Sequence, residues 1–137
     1  DVTVKGVSIN NGSYDLEYGQ FDMKDCEANI IALQLESGSC SITDSTLDGF
    51  QGELEYGDTY IQNCTMNKID VDSESGDANV DISGNLPDYS IQLDVEVGEV
   101  TVNGKKEAHS IRTSGDDSSK AIHVESEYGD VDITVEP

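Results

Sequence analysis

Apolar and polar residues alternate along nearly the whole chain, and the alternation restarts at Gly19, Gly38, Gly57, Gly76, Gly98 and Gly129. Seven places before these glycines stand Gly12, Ile31, Phe50, Ile69, Ile91 and Ile122; five before stand Tyr14, Leu33, Gly52, Val71, Leu93 and Val124. Three before are Leu16, Leu35, Leu54, Ser73, Val95 and Ser126, and one before are Tyr18, Ser37, Tyr56, Ser75, Val97 and Tyr128. Beyond the glycine, the second place carries Phe21, Cys40, Thr59, Ala78, Val100 and Val131, and the fourth carries Met23, Ile42, Ile61, Val80, Val102 and Ile133. A period of two marks strands with one buried face, so these columns are read as inward-pointing, the tyrosines among them.

A third short pair follows in the early repeats: Cys26 and Ala28, Ser45 and Leu47, Cys64 and Met66. Each repeat therefore predicts one long and two short strands, divided by turns at Gly-Asp and Asp/Asn positions. The first four glycines are 19 residues apart, and a fixed period of that length means stacked units. The expected fold is all-β: a single-stranded β-helix, or β-solenoid, with coils of about 19 residues and three strands per coil. Crossovers between parallel strands are right-handed, so the coil is expected to be right-handed. Val2, Val4, Val7 and Ile9 fit the same frame, which makes residues 1–137 one domain that starts mid-coil.

Two spacings exceed the period. The first widens a turn around Gly84-Asn85-Leu86-Pro87-Asp88, and the second places a surplus of about a dozen residues between Gly104 and Lys120. That insertion holds Lys105, Lys106, Arg112 and Lys120, four of only seven basic residues, and a long excursion from a solenoid is where specific contacts concentrate.

Charge narrows the function. The chain carries 29 acidic residues and a formal charge of -22, which excludes a nucleic-acid binder, because such affinity rests on neutralising phosphates. No apolar run reaches the roughly 18 residues of a membrane span. Asp1 rather than Met opens the chain, which reads as a processed or trimmed segment whose signal or anchor lies outside it. Cys26 and Cys64 share one column two coils apart, near 10 Å, too far for a disulfide. With Cys40 in another column, all three are expected to be buried, reduced thiols.

The residue two places before each glycine is always glutamate: Glu17, Glu36, Glu55, Glu74, Glu96 and Glu127. The columns four before (Asp15, Gln34, Glu53, Asp72, Asp94, Glu125) and one after (Asp58, Asp77, Glu99 and Asp130 in the later repeats) are acidic too, and all three are expected to face solvent. Stacked like charges repel, so the ladder costs stability. Three readings of it are open: a solvated face that discourages association of sheets, a strip for calcium, or a surface that attracts a cationic partner. Calcium is the only cofactor in view, and a flat ladder offers it neighbouring pairs rather than six to eight converging oxygens. Candidate binding residues are the six glutamates with Lys105, Lys106 and Arg112. No catalytic residue and no metal ligand stands out, since His109 and His123 lack cysteine partners at metal-binding spacing and no carboxylate pair is marked.

Repeated Leu/Val/Ser-Glu-x-Gly units, followed by Ile or Val in all but the first, resemble a bacterial adhesin-type β-strand-repeat family, a domain of unknown function in cell-envelope β-helix proteins. The resemblance spans Val2 to Val135 and implies a β-helix, a secreted or envelope location, frequently behind a membrane or lipoprotein anchor, and an adhesive or envelope-stress role. It implies no catalytic residues. The leading expectation is a non-enzymatic surface module presenting its acidic face to a protein or glycan partner. A structural stalk associating end to end through its coil ends, and a polysaccharide-active β-helix, are the alternatives.

Overall fold

A computed structural model describes residues 1–137 and consists of β-strands with one short 3-10 turn. Strand β1 spans Val2–Lys5, β2 Ser8–Lys24, β3 Glu27–Thr43, β4 Thr46–Tyr56, β5 Thr59–Ser75 and β6 Ala78–Ser83. After the turn Leu86–Asp88 come β7 (Ser90–Val97), β8 (Val100–Val102), β9 (Lys105–Glu107), β10 (Ser110–Thr113), β11 (Ala121–Tyr128) and β12 (Val131–Glu136). From β1 to β6 the strands pair in parallel, each residue facing the one 19 positions on: Val2 with Phe21, Ser8 with Glu27, Glu27 with Thr46, Thr46 with Thr65 and Thr59 with Ala78. This is an all-β, solenoid-like stack of parallel rungs. In β2, β3 and β5 the strand runs unbroken through a whole repeat for 17 residues, so the expected division into separate short strands is absent there.

The inward columns fuse into one core of 31 buried residues, among them Ile31, Ile42, Phe50, Ile61, Ile69, Val71, Ile122 and Val124. Cys26, Cys40 and Cys64 are buried and free, as their columns predict. One column behaves otherwise. Tyr18, Tyr56 and Tyr128 are 75, 60 and 57% exposed, and Val97 beside them is exposed too. The reason is a corner: pairing between β2 and β3 skips Glu17 and Glu36 and resumes at Tyr18 and Ser37, so glutamate and tyrosine both point outward.

The glycines make the next corner possible. Gly38, Gly57, Gly76, Gly98 and Gly129 have φ between 142° and 156°, a region that L side chains rarely adopt. A Cβ on any of them would overlap the carbonyl of the glycine on the next rung.

Rung order departs from chain order near the C-terminus. Strand β11 pairs with β5 on one side (Val124 with Val71) and with β7 on the other (Val124 with Leu93), while β12 lies between β6 and β8. The last repeat is therefore threaded between the two that precede it, and the glycines stack in the order 19, 38, 57, 76, 129, 98. Hydrogen bonds agree, with Gly76 N donating to Tyr128 O and Gly129 N to Val97 O. The expectation that every repeat stacks on its sequence neighbour fails here.

The insertion makes this threading possible. Strand β9 turns back antiparallel on β8, and β10 lies antiparallel on β7, before the chain returns to the gap between rungs. Two antiparallel strands thus cover the rung that ends the stack. Tyr89, 2% exposed, fills the interior on the side where the early repeats carried their third strand, and its hydroxyl donates to the Met66 carbonyl. No helix is long and apolar enough to cross a membrane.

Candidate functional site

The outward face of the long strands is acidic along its length. Glu17, Glu36, Glu55, Glu74, Glu127 and Glu96 all lie exposed, in that spatial order, beside the column of Asp15, Gln34, Glu53, Asp72, Glu125 and Asp94. Alternation dictates this placement, because each member flanks a buried Leu, Val or Ser at the third place before the glycine. Gln34, Glu36, Glu53, Glu55, Asp72 and Glu74 border a shallow groove of about 470 Å³. Only one side-chain hydrogen bond crosses rungs within it, from Gln34 Nε2 to Glu53 Oε2 at 3.2 Å. The carboxylates of this groove are otherwise available to a ligand.

The exposed corner adds an aromatic edge that the sequence reading placed inside. In space the column runs Tyr18, Ser37, Tyr56, Ser75, Tyr128, Val97. The three tyrosines stand two rungs apart, about 10 Å, each next to a glutamate of the ladder. Only the threading of β11 gives this regularity, since chain order would put Val97 between Ser75 and Tyr128.

A third acidic column turns out to be structural. The carboxylate of Asp58 accepts the N–H of Asp77 at 2.8 Å, Asp77 accepts that of Asp130 at 2.8 Å, and Asp130 accepts that of Glu99 at 2.9 Å. Asp1 does the same for Gln20 at 2.9 Å. These aspartates cap the glycine corners across rungs rather than simply facing water. An Asp following Gly57, Gly76 and Gly129 is the available signal, and by itself it reads as surface charge.

The basic candidates are dispersed and partly neutralised. Lys105 and Lys106 sit on β9, 4.0 Å from Glu107 and 2.9 Å from Glu99, and Glu99 raises the Lys106 ammonium above its usual range. Arg112 lies on β10 opposite Gln92 and borders a separate hollow of about 600 Å³ with Leu86, Tyr89, Ile91 and Ile111. The structure therefore brings the six glutamates into one surface and does not bring the three cations together. The thiols do not form a reactive site: burial pushes the Cys40 thiol far above its ordinary value, with Asp22 adding to the shift, and burial raises Cys64 as well.

The family model described as Toastrack DUF4097 matches residues 1–134. The chain belongs to this family. It is an uncharacterised domain with a β-solenoid-like fold, in accord with the stacked rungs, and it assigns no residue a role. No curated protein and no solved structure matches the chain.

Proposed function

We propose that this Toastrack domain is a non-enzymatic binding module, displayed at the cell surface or secreted, that holds a cationic protein segment along its acidic and aromatic edge. The coil beneath that edge is, in this proposal, a right-handed β-helix of about 19 residues and three sides per turn. The observation that carries the reading is the exposed row of Tyr18, Tyr56 and Tyr128 beside Glu17, Glu55 and Glu127. A lysine or arginine head meets a carboxylate and a ring face in one place there, and cation–π contact adds about 0.5–1 kcal/mol at an exposed site. Repetition at about 10 Å lets several weak contacts act together on one extended partner. The surrounding negative field speeds encounter and disfavours anionic competitors.

The test is fluorescence anisotropy with a labelled lysine- and arginine-rich peptide and its glutamine-substituted counterpart at 0.15 M salt, beside a panel of neutral glycans. Saturable binding of the basic peptide, weakened several-fold by Tyr56→Ser and by Glu55→Gln, is expected. Binding that ignores Tyr56→Ser, or selective binding of a neutral glycan, would overturn the cationic-partner reading.

A further inference from the structure

One cluster on the acidic face differs in kind from the rest of the ladder, and the threading of β11 creates it. His123 and Glu125 are two apart on β11 and so share its outward face. Asp70 of β5 lies opposite His123, and Asp94 of β7 lies opposite Glu125 on the other side. His123 Nδ1 is 3.3 Å from Asp70 Oδ1, and Nε2 is 3.2 Å from Glu125 Oε1. A neutral imidazole has one N–H and one lone pair. Both ring nitrogens face carboxylate oxygens, so one of the two contacts sets lone pair against lone pair unless a positive charge sits between them. That charge is a proton or a metal ion.

The donor set selects the metal. One ligand atom each from Asp94, His123 and Glu125 lies within 4.8 Å of the others. A tetrahedral ion with bonds of about 2.0–2.1 Å holds its ligand atoms about 3.3 Å apart, close to the Nε2–Oε1 separation, and a shift of the Asp94 carboxylate from within 4.8 Å of both closes the other two edges. Asp94 is already oriented: the Ser110 hydroxyl donates to Oδ1, and Gln92 Nε2 donates to Oδ2 at 3.3 Å. With the ring proton on Nδ1, whose distance to Asp70 Oδ1 is 3.3 Å, Nε2 is free to ligate, the carboxylate–histidine–metal arrangement that fixes a ring in its binding tautomer. An imidazole nitrogen with two carboxylates suits zinc and its transition-metal neighbours, whereas calcium and magnesium prefer oxygen alone. Asp72, opposite Glu125, adds negative charge, and Arg112, opposite Gln92, bounds the cluster on the capped side.

We propose that His123 Nε2, Glu125 and Asp94 bind one divalent transition-metal ion of the zinc class, with Asp70 as the positioning residue and water completing the shell. His109 borders the same hollow as Asp94 and Glu125, while the tyrosine edge has no imidazole, so this site is distinct from the edge proposed for a cationic partner and does not depend on it. Strands β7 and β11 would then be tied together by the ion, with β5 joined through Asp70.

Isothermal titration of the chelator-stripped chain with zinc chloride at pH 7 and 0.15 M salt tests this. One site per chain is expected, together with a rise in melting temperature that accompanies its filling. His123→Gln should weaken that site at least tenfold, Asp70→Asn about tenfold through loss of the orienting contact, and Glu36→Gln not at all. The proposal is overturned if His123→Gln binds zinc as the parent does, if binding is multiple and weak in both, or if equimolar calcium displaces the zinc. Each of those results would leave the face with a diffuse cation atmosphere and no built site. His123 is 36% exposed, so the variant is expected to fold, which an unchanged melting curve without metal verifies.

Discussion

The threading of the last repeat between its two predecessors makes a sharp prediction for paired cysteines. The structure places Glu125 directly opposite both Asp72 and Asp94, which makes Asp72 and Asp94 two rungs apart. Adjacent rungs lie about 4.8 Å apart, inside the Cα range of a disulfide, whereas two rungs span about 10 Å and lie outside it. Asp72→Cys with Glu125→Cys should therefore oxidise in the folded protein, and Asp72→Cys with Asp94→Cys should not. Plain sequential stacking demands the reverse. The bridge would close a loop of 53 residues, the same separation as between Asp77 and Asp130. Chain-entropy arithmetic for such a loop gives about 4 kcal/mol of stabilisation relative to the reduced form, less any strain in the rung. Native thiols do not confuse the assay, because Cys26, Cys40 and Cys64 are buried. Free-thiol titration and mobility on a non-reducing gel report closure, and urea melts with and without reductant report the gain. If the Asp72/Asp94 pair closes while the Asp72/Glu125 pair stays reduced, the rung order is wrong, and the contact of Asp70 with His123 falls with it.

Gly57→Ala should cost about 3 kcal/mol or more by urea melting, since the new Cβ would overlap the Gly38 carbonyl at a φ of 156°; a melt like the parent's would refute the stacked-corner account. Ser73 and Ser126 carry buried hydroxyls without a hydrogen-bond partner, so Ser73→Ala should be neutral or stabilising by about 1 kcal/mol, while Leu54→Ala in the same column should cost about 2–5 kcal/mol. Equal losses in the two would remove the distinction. The Ser110 hydroxyl and then the Gln92 amide hold the Asp94 carboxyl below its ordinary value. The stability this contributes is present above the unfolded-state value near about 3.9 and is lost as pH falls through the lowered folded value. Ser110→Ala should therefore shift the acid-unfolding midpoint upward, and an unmoved midpoint would show that the contact does not persist in solution.

The tyrosine column shows where pattern reading stops. Strict alternation extended from Leu16 carries Tyr18 inward, and only the skipped pairing at Glu17 reveals that the strand turns a corner first. Alternation specifies which residues share a face of a straight strand; it contains nothing about where a strand bends. The aspartates after the glycines pose the same problem, for a carboxylate that caps an N–H on the next rung and one that faces water are identical in sequence. His123 was legible as a histidine on an outward column and no more, because its partners Asp70 and Asp94 reach it from positions 53 and 29 residues away.

By itself, the sequence determined the parallel stacking of β1 through β6, the buried columns, the unpaired thiols and the unbroken row of glutamates. All of these follow from a local period of two within a repeat of 19, and every rung restates them. Tertiary structure alone decided the order of the last two rungs, the capped end, the regular tyrosine edge and the histidine–carboxylate cluster. The fifth and sixth repeats present nearly equivalent inward columns, Ile91, Leu93 and Val95 against Ile122, Val124 and Ser126, so either could satisfy the Val71 side of the core. What separates them is the Ser126–Ser73 match, the room beneath Met66 that Tyr89 fills, and the length of chain between Gly104 and Lys120, contacts and distances that exist only once the rungs have closed on one another.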